Sequence, residues 1–406
     1  MKKFLLAFIA FFLIAGMFVL FGSLGDKDKI SAFGENTKSK NVIYIGVYEP
    51  LTDDYAQGGM CEALGIRYAN RICPTVEING ETFSVELIEA DNAADEKGSA
   101  FAAQTLIESN VSAVLGSYSS KATAAGLPEF DQKGIPMIGI SCTSQSATAN
   151  GGNYFRICYT DSFQSGIMAN FAYGIDLRHA AVITQIGDED SKVAGKTFAD
   201  AFIQLGGEVT EFAFQLGQEN FRALTKELLN SDIDFVYMLS GASEAEYFVK
   251  QSRSESLTCP ILGPESWDSA LLLNELSSNF RQIYFASEFN SDASADPASA
   301  EFAENFSSWL SNKDERIAEN GGNNYTSSLS AMAYDSYMLL IQAIETANSK
   351  DPQVLSQTLK TLSYQGITGN ISFDEKGELL KQQAYIKTIN TITKNFELIQ
   401  TNTVGN

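Results

Sequence analysis

Two clusters of small hydroxyl residues carry the chemistry that stands out in this 406-residue chain. Tyr118-Ser119-Ser120 follows an apolar run at 113–116, and Ser141-Cys142-Thr143 follows another at 136–140. Neutral hydroxyl donors beside the start of a helix hold an anion, because the first turn leaves N–H groups unpaired and carries the positive end of the dipole. Ser120 opens a segment of helical character over 120–133. It therefore either joins such a site or only caps its helix. Ser119 and Thr123 compete with it, since one slip in register changes which hydroxyl faces a ligand.

The elements needed to position these clusters are legible around them. The stretch 111–148 reads as strand, helix, strand, and such crossovers put ligand loops at the carboxyl ends of parallel strands. Upstream, 42–48 reads as a buried strand, a helix runs to about Ile72 before Pro74, and 83–90 and 95–109 form the next strand and helix. The alternation restarts after Phe155-Arg156, with helices at 165–177, 193–205, 221–230 and 242–252 and strands at 180–185, 209–214, 235–239 and 261–262. A long amphipathic helix at 327–347 and strands within 384–399 close the chain. The expected fold is α/β, with two doubly wound parallel-sheet lobes joined by a hinge of several crossovers. Lobe 1 is expected to hold 41–160 plus 289–365, and lobe 2 to hold 161–288 plus 366–402.

A formal charge of −22 excludes nucleic acid as a partner, since phosphate binding needs clustered Lys and Arg. Lys2 and Lys3 precede a charge-free apolar run at 4–25, long for a cleaved signal and long enough to span a bilayer. Residues 1–25 are thus read as a membrane anchor or signal segment, and 26–40 as a tether. Either reading exports the chain beyond residue 25. The five cysteines lie in no metal-ligand spacing, and the single histidine is His179. No metal or cofactor is expected; Cys61 and Cys73 are the nearest pair for a disulfide. Nor is an enzyme: His179 accompanies no hydrolase elbow, and the chain has neither a phosphate loop nor a dinucleotide glycine pattern.

The order of several short motifs carries a resemblance. They are Pro50-Leu51-Thr52 with Ala56-Gln57-x-Gly59, Gly65, Asp91, Gly116-x-x-Ser119-Ser120-x-x-Thr123 and Gly134-Ile135-Pro136-Met137-Ile138. Phe155-Arg156, Asp161-x-x-Gln164, Leu205-Gly206-Gly207-Glu208-Val209, Ile233-Asp234-Phe235-Val236, Gly263-Pro264-Glu265, Tyr334-Asp335 and Phe373-Asp374-x-x-Gly377 come after them. Over about 42–391 the chain resembles the extracytoplasmic solute-binding proteins of the branched-chain amino acid type, which have the type I periplasmic-binding fold and serve ABC importers.

The resemblance implies that Ser120, Ser141 and Thr143 take a ligand's carboxylate, and that Glu265, at the carboxyl end of a short strand, takes its ammonium. The other reading of Glu265 is a solvated turn residue. Asp190 stands where relatives carry a tyrosine; it either adds a second ammonium ligand or pairs with Lys192. Gly241 and Gly58 stand where aromatic walls are expected, and Leu329 is a third such departure, so leucine selectivity is in question. Tyr118 is a candidate replacement wall, and Trp267 is either a second one or ordinary core.

The function expected is binding of a small amino acid or related ligand and its delivery, by lobe closure, to the membrane subunits of an ABC permease. The alternatives are an amide or urea binder and a ligand-sensing receptor subunit.

Overall fold

The computed structural model describes residues 41–146, 152–274, 280–292, 296–380 and 383–403. The anchor and tether expected at 1–25 and 26–40 lie outside the described residues.

The first lobe alternates β1 (Val42–Glu49), α1 (Ala56–Ile72), β2 (Thr75–Ile78), β3 (Glu81–Asp91), α2 (Glu96–Glu108), β4 (Ala113–Leu115), α3 (Ser120–Lys133), β5 (Met137–Gly139) and β6 (Tyr154–Arg156). Its sheet has the order β2-β3-β1-β4-β5-β6. All pairs are parallel except the β2–β3 hairpin at the edge. The central strands are almost wholly buried, as helices on both faces require. Phe155-Arg156, not assigned to an element from sequence, belongs to the sixth strand.

The second lobe continues with α4 (Asp161–Gly174), β7 (His179–Gln185), α5 (Glu189–Gln204), β8 (Glu208–Phe214), α6 (Arg222–Leu229), β9 (Phe235–Met238), α7 (Ala242–Ser254), β10 (Ile261–Gly263), α8 (Leu271–Asn274) and β11 (Ile283–Ser287). The chain then returns to the first core through α9 (Pro297–Ser311), α10 (Asp314–Glu319), α11 (Ser328–Ala347), α12 (Pro352–Leu359), β12 (Tyr364–Gly366) and β13 (Gly369–Ile371). Finally β14 (Gln383–Asn390) and β15 (Asn395–Thr403) complete the order β15-β14-β11-β10-β9-β7-β8, both antiparallel to their inner neighbours.

Helix α11 anchors the first lobe: Leu329, Met332, Ala333, Tyr337 and Leu340 pack with Ile43, Ile45, Val47 and Ile66. Gly65 permits this, because a Cβ there would lie 2.3 Å from the backbone oxygen of Ser330. Ile371 and Phe373 belong to the same core. The final crossover thus comes after them, later than the boundary at 366 expected from sequence. Tyr159, just after β6, donates its N–H to Glu288, just after β11, at 2.6 Å. Two of the crossovers are thereby tied together, which defines the hinge.

All five cysteines are unpaired. Cys61 lies within α1 and Cys73 caps its end. Twelve residues of helix put them about 18 Å apart, far beyond disulfide reach. Among the described residues no helix is long and apolar enough to cross a membrane.

Candidate functional site

The hydroxyl clusters meet at the carboxyl ends of β4 and β5, facing the second lobe. Ser119, not Ser120, is the residue that caps α3: its backbone is extended and its side chain accepts from the Ala122 N–H at 3.2 Å. Ser120 is the first helical residue, and its hydroxyl accepts from the Ser144 N–H at 3.4 Å, joining the two loops. The capping reading and the site reading of this pair therefore fall on neighbouring residues. The N–H groups of Ser120 and Lys121 lie in the first turn of the helix, where no intrahelical acceptor is available.

Glu265 opens a 3-10 turn directly after β10 and is only 3% exposed. It is no solvated turn residue. Its N–H donates to Gln164 Oε1 at 3.1 Å, and its carboxylate accepts from the hydroxyl of Ser328, the first residue of α11. Burial pushes its carboxyl up to about 8, the charge of Glu288 adding to this and the Ser328 hydrogen bond opposing it. Gln164 is 4% exposed, and its Nε2 has no hydrogen-bond partner. A buried amide donor without a partner costs free energy that a ligand acceptor would restore.

Asp190 sits in the first turn of α5 and accepts from Ser144 Oγ at 2.6 Å, across the cleft. The pairing with Lys192 weighed from sequence does not form, since Lys192 Nζ binds Glu189 at 2.6 Å. Ser141 has a partner that sequence reading missed: its hydroxyl donates to Glu62 of α1. Beside it, Glu49 accepts from the Tyr118 N–H at 2.8 Å. Burial pushes Glu49 well up, with the charge and hydrogen bond of Glu62 adding to this, and burial raises Glu62 to about 7. Two carboxyl groups held together out of water disfavour each other's ionisation.

The cleft offers a cavity of about 210 Å³. Tyr118, Ser119, Ser120, Ser141 and Thr143 line it from the first lobe; Asp190, Gly241 and Glu265 line it from the second. It also brings in Tyr55, Asp161, Gln164, Gln185, Asp188 and Ser266, which sequence reasoning did not single out as site residues. Burial pushes Asp161 up to about 7. The signal for these was available: Gln185 ends β7 and Asp188 caps the helix after it, and strand ends of this kind are where ligands sit. Lys121 is the only Lys or Arg in the lining, against Asp161, Asp188, Asp190 and Glu265.

A small inner recess of about 30 Å³ continues from the cleft between Gly58, Tyr118, Gly241, Glu244 and Leu329. Gly58 is glycine because the Tyr118 ring occupies the place of its side chain, where a Cβ would lie 2.4 Å from the ring. The Tyr118 ring therefore fills the space beside Gly58. Trp267 does not line the cleft: it is fully buried in the second core and donates to the Ser240 backbone oxygen at 3.1 Å.

The family model described as "Periplasmic binding protein" matches residues 42–394. A leucine-, isoleucine-, valine-, threonine- and alanine-binding protein of Pseudomonas aeruginosa is 25% identical over 357 residues, covering 86% of this chain and 90% of the relative. A leucine-specific-binding protein of Salmonella typhimurium is 23% identical, covering 83% and 88%. A leucine-binding protein structure from Thermotoga maritima has a TM-score of 0.78 at 24% identity, covering 89% of this chain and 99% of that one. A Rhodopseudomonas palustris solute-binding protein in complex with benzoate has a TM-score of 0.79 at 15% identity, covering 90% and 98%. These structures share the fold.

Proposed function

The chain belongs to the periplasmic binding protein family, and we propose that it is the extracytoplasmic solute-binding component of an ABC importer for a small ligand with an ammonium and a carboxylate. One observation carries the reading. Glu265 stands in the cleft from the second lobe, while the open end of α3 with Ser120 and Thr143 faces it from the first. The ammonium takes Glu265 and the carboxylate takes the N–H groups of α3 and Gln164 Nε2. The excess of carboxylates in the lining disfavours ligands that carry a carboxylate alone, such as the benzoate of one fold relative.

Binding begins on the first lobe and becomes tight when Glu265 reaches the ligand, so closure follows from differential contact. Segment 1–25 holds the exported part at the membrane, and the closed lobes dock on the permease. A thermal-shift screen of the full-length protein against amino acids, primary amides and short carboxylic acids tests this. Amino acids give the largest shift; a response confined to amides would overturn the reading.

A further inference from the structure

The inner recess identifies the side chain of the ligand, on the premise that the ligand is an amino acid. A recess selecting leucine or isoleucine is lined by hydrocarbon, because burying an unpaired carboxylate beside an aliphatic chain is costly. This one ends in Glu244, which is 6% exposed. Glu244 Oε1 accepts from the Gly217 N–H at 3.0 Å. Its Oε2 has no hydrogen-bond partner among the described residues, and no Lys or Arg there pairs with it.

Gly241 directs that oxygen into the recess. A Cβ built at Gly241 would lie 3.2 Å from Glu244 Oε2 and 3.8 Å from the Tyr118 hydroxyl. The missing side chain therefore leaves a gap flanked by a carboxylate oxygen and a phenol oxygen. Asp54 lines the same recess, and no Lys or Arg does. A cation at the tip of a ligand side chain would find acceptors on both sides of the gap, with Leu216 and Leu329 beside its methylenes.

We propose that the ligand is an α-amino acid whose side chain ends in an amine or guanidinium group, with Glu244 as the residue that selects it. Glu265 and Glu244 then divide the two positive charges between them, the first for the α-ammonium and the second for the side chain. Tyr118 lines both the cleft that holds Glu265 and the recess that holds Glu244.

The test is calorimetric titration of the full-length protein at pH 7.5 with L-lysine, L-ornithine, L-arginine and L-leucine. At least one basic amino acid binds about tenfold or more tightly than leucine. Glu244→Gln removes that preference, the basic ligand losing at least about tenfold more affinity than leucine. Gly241→Ala, which places a methyl group in the gap, weakens the basic ligand more than leucine and guards against a folding defect in the first variant. Leucine binding as tightly as every basic amino acid would overturn the selectivity alone, as would a preference that survives Glu244→Gln. Binding of none of the four would instead overturn the amino acid reading and this inference with it.

Discussion

The hydroxyl of Ser328, the first residue of α11 in the first lobe, donates to the carboxylate of Glu265, which follows β10 in the second. A residue 63 positions away in sequence thus holds the ligand-facing carboxylate where the lobes meet. That hydrogen bond favours the ionised form, but burial outweighs it and Glu265 stays largely protonated near neutral pH.

Ammonium binding should therefore expel a proton. The unliganded carboxyl titrates at about 8, and a cation beside it lowers that value. Between pH 6 and 8 affinity rises with pH, and titrations at pH 7 in buffers of different ionisation enthalpy report about one proton released per ligand. Affinity that is flat over this range would show that Glu265 does not meet the charge.

The ligand-free protein should lose stability as pH rises. Glu49, Glu62, Glu265 and Asp161 all have carboxyl values raised by burial, so their contribution is fully present below their unfolded values, near 4. For Glu62, Asp161 and Glu265 it is lost as pH rises through about 7 to 8. Glu62→Gln keeps an acceptor for Ser141 and removes one acid of the Glu49 pair. At pH 8 it should stabilise by on the order of 1 kcal/mol, with little effect or a small loss at pH 5. Calorimetric melts that fall equally for both proteins between these values would contradict the coupling of Glu62 to Glu49.

Gly65→Ala should destabilise the fold by about 1–3 kcal/mol without touching the cleft. Its Cβ would lie 2.3 Å from the Ser330 backbone oxygen, so α1 and α11 must separate. Denaturant titration measures this; an unchanged midpoint would mean that the helices do not approach so closely.

Gly58→Ala should act on binding. The new methyl would lie 2.4 Å from the Tyr118 ring, forcing that wall of the recess to move. Ligand affinity should drop about tenfold, ~1.4 kcal/mol, with the melting temperature nearly unchanged. Full retention of affinity would remove Tyr118 from the recess wall.

The alternation of strands and helices was legible because parallel strands buried on both faces leave continuous apolar runs, as β1, β4 and β5 do. The edge strands were harder. β2 alternates exposed and buried positions over only four residues directly after Pro74, and β6 has three, so both are too short for their pattern to stand out. Glu265 and the Ser141 cluster were singled out through the family resemblance, with their places at strand ends in support, and both line the cleft. Glu62 was not, because it lies within α1 and only the tertiary fold brings it to Ser141, 79 positions away. Glu244 was missed for a different reason: a Glu in the first turn of a helix already has a local explanation in the dipole. Trp267 illustrates the converse, since two residues from Glu265 along a tight turn is enough to face the core.

The most direct test of the central claim is a calorimetric titration of wild-type and Glu265→Gln full-length protein with the amino acid giving the largest thermal shift. The glutamine keeps an acceptor for Ser328 and loses the charge. The predicted result is a loss of at least about thirtyfold in affinity, ~2 kcal/mol, with the melting temperature preserved at pH 6. Affinity within about threefold of wild type would contradict the assignment of Glu265 as the ammonium site and, with it, the proposed division of the ligand between the two lobes.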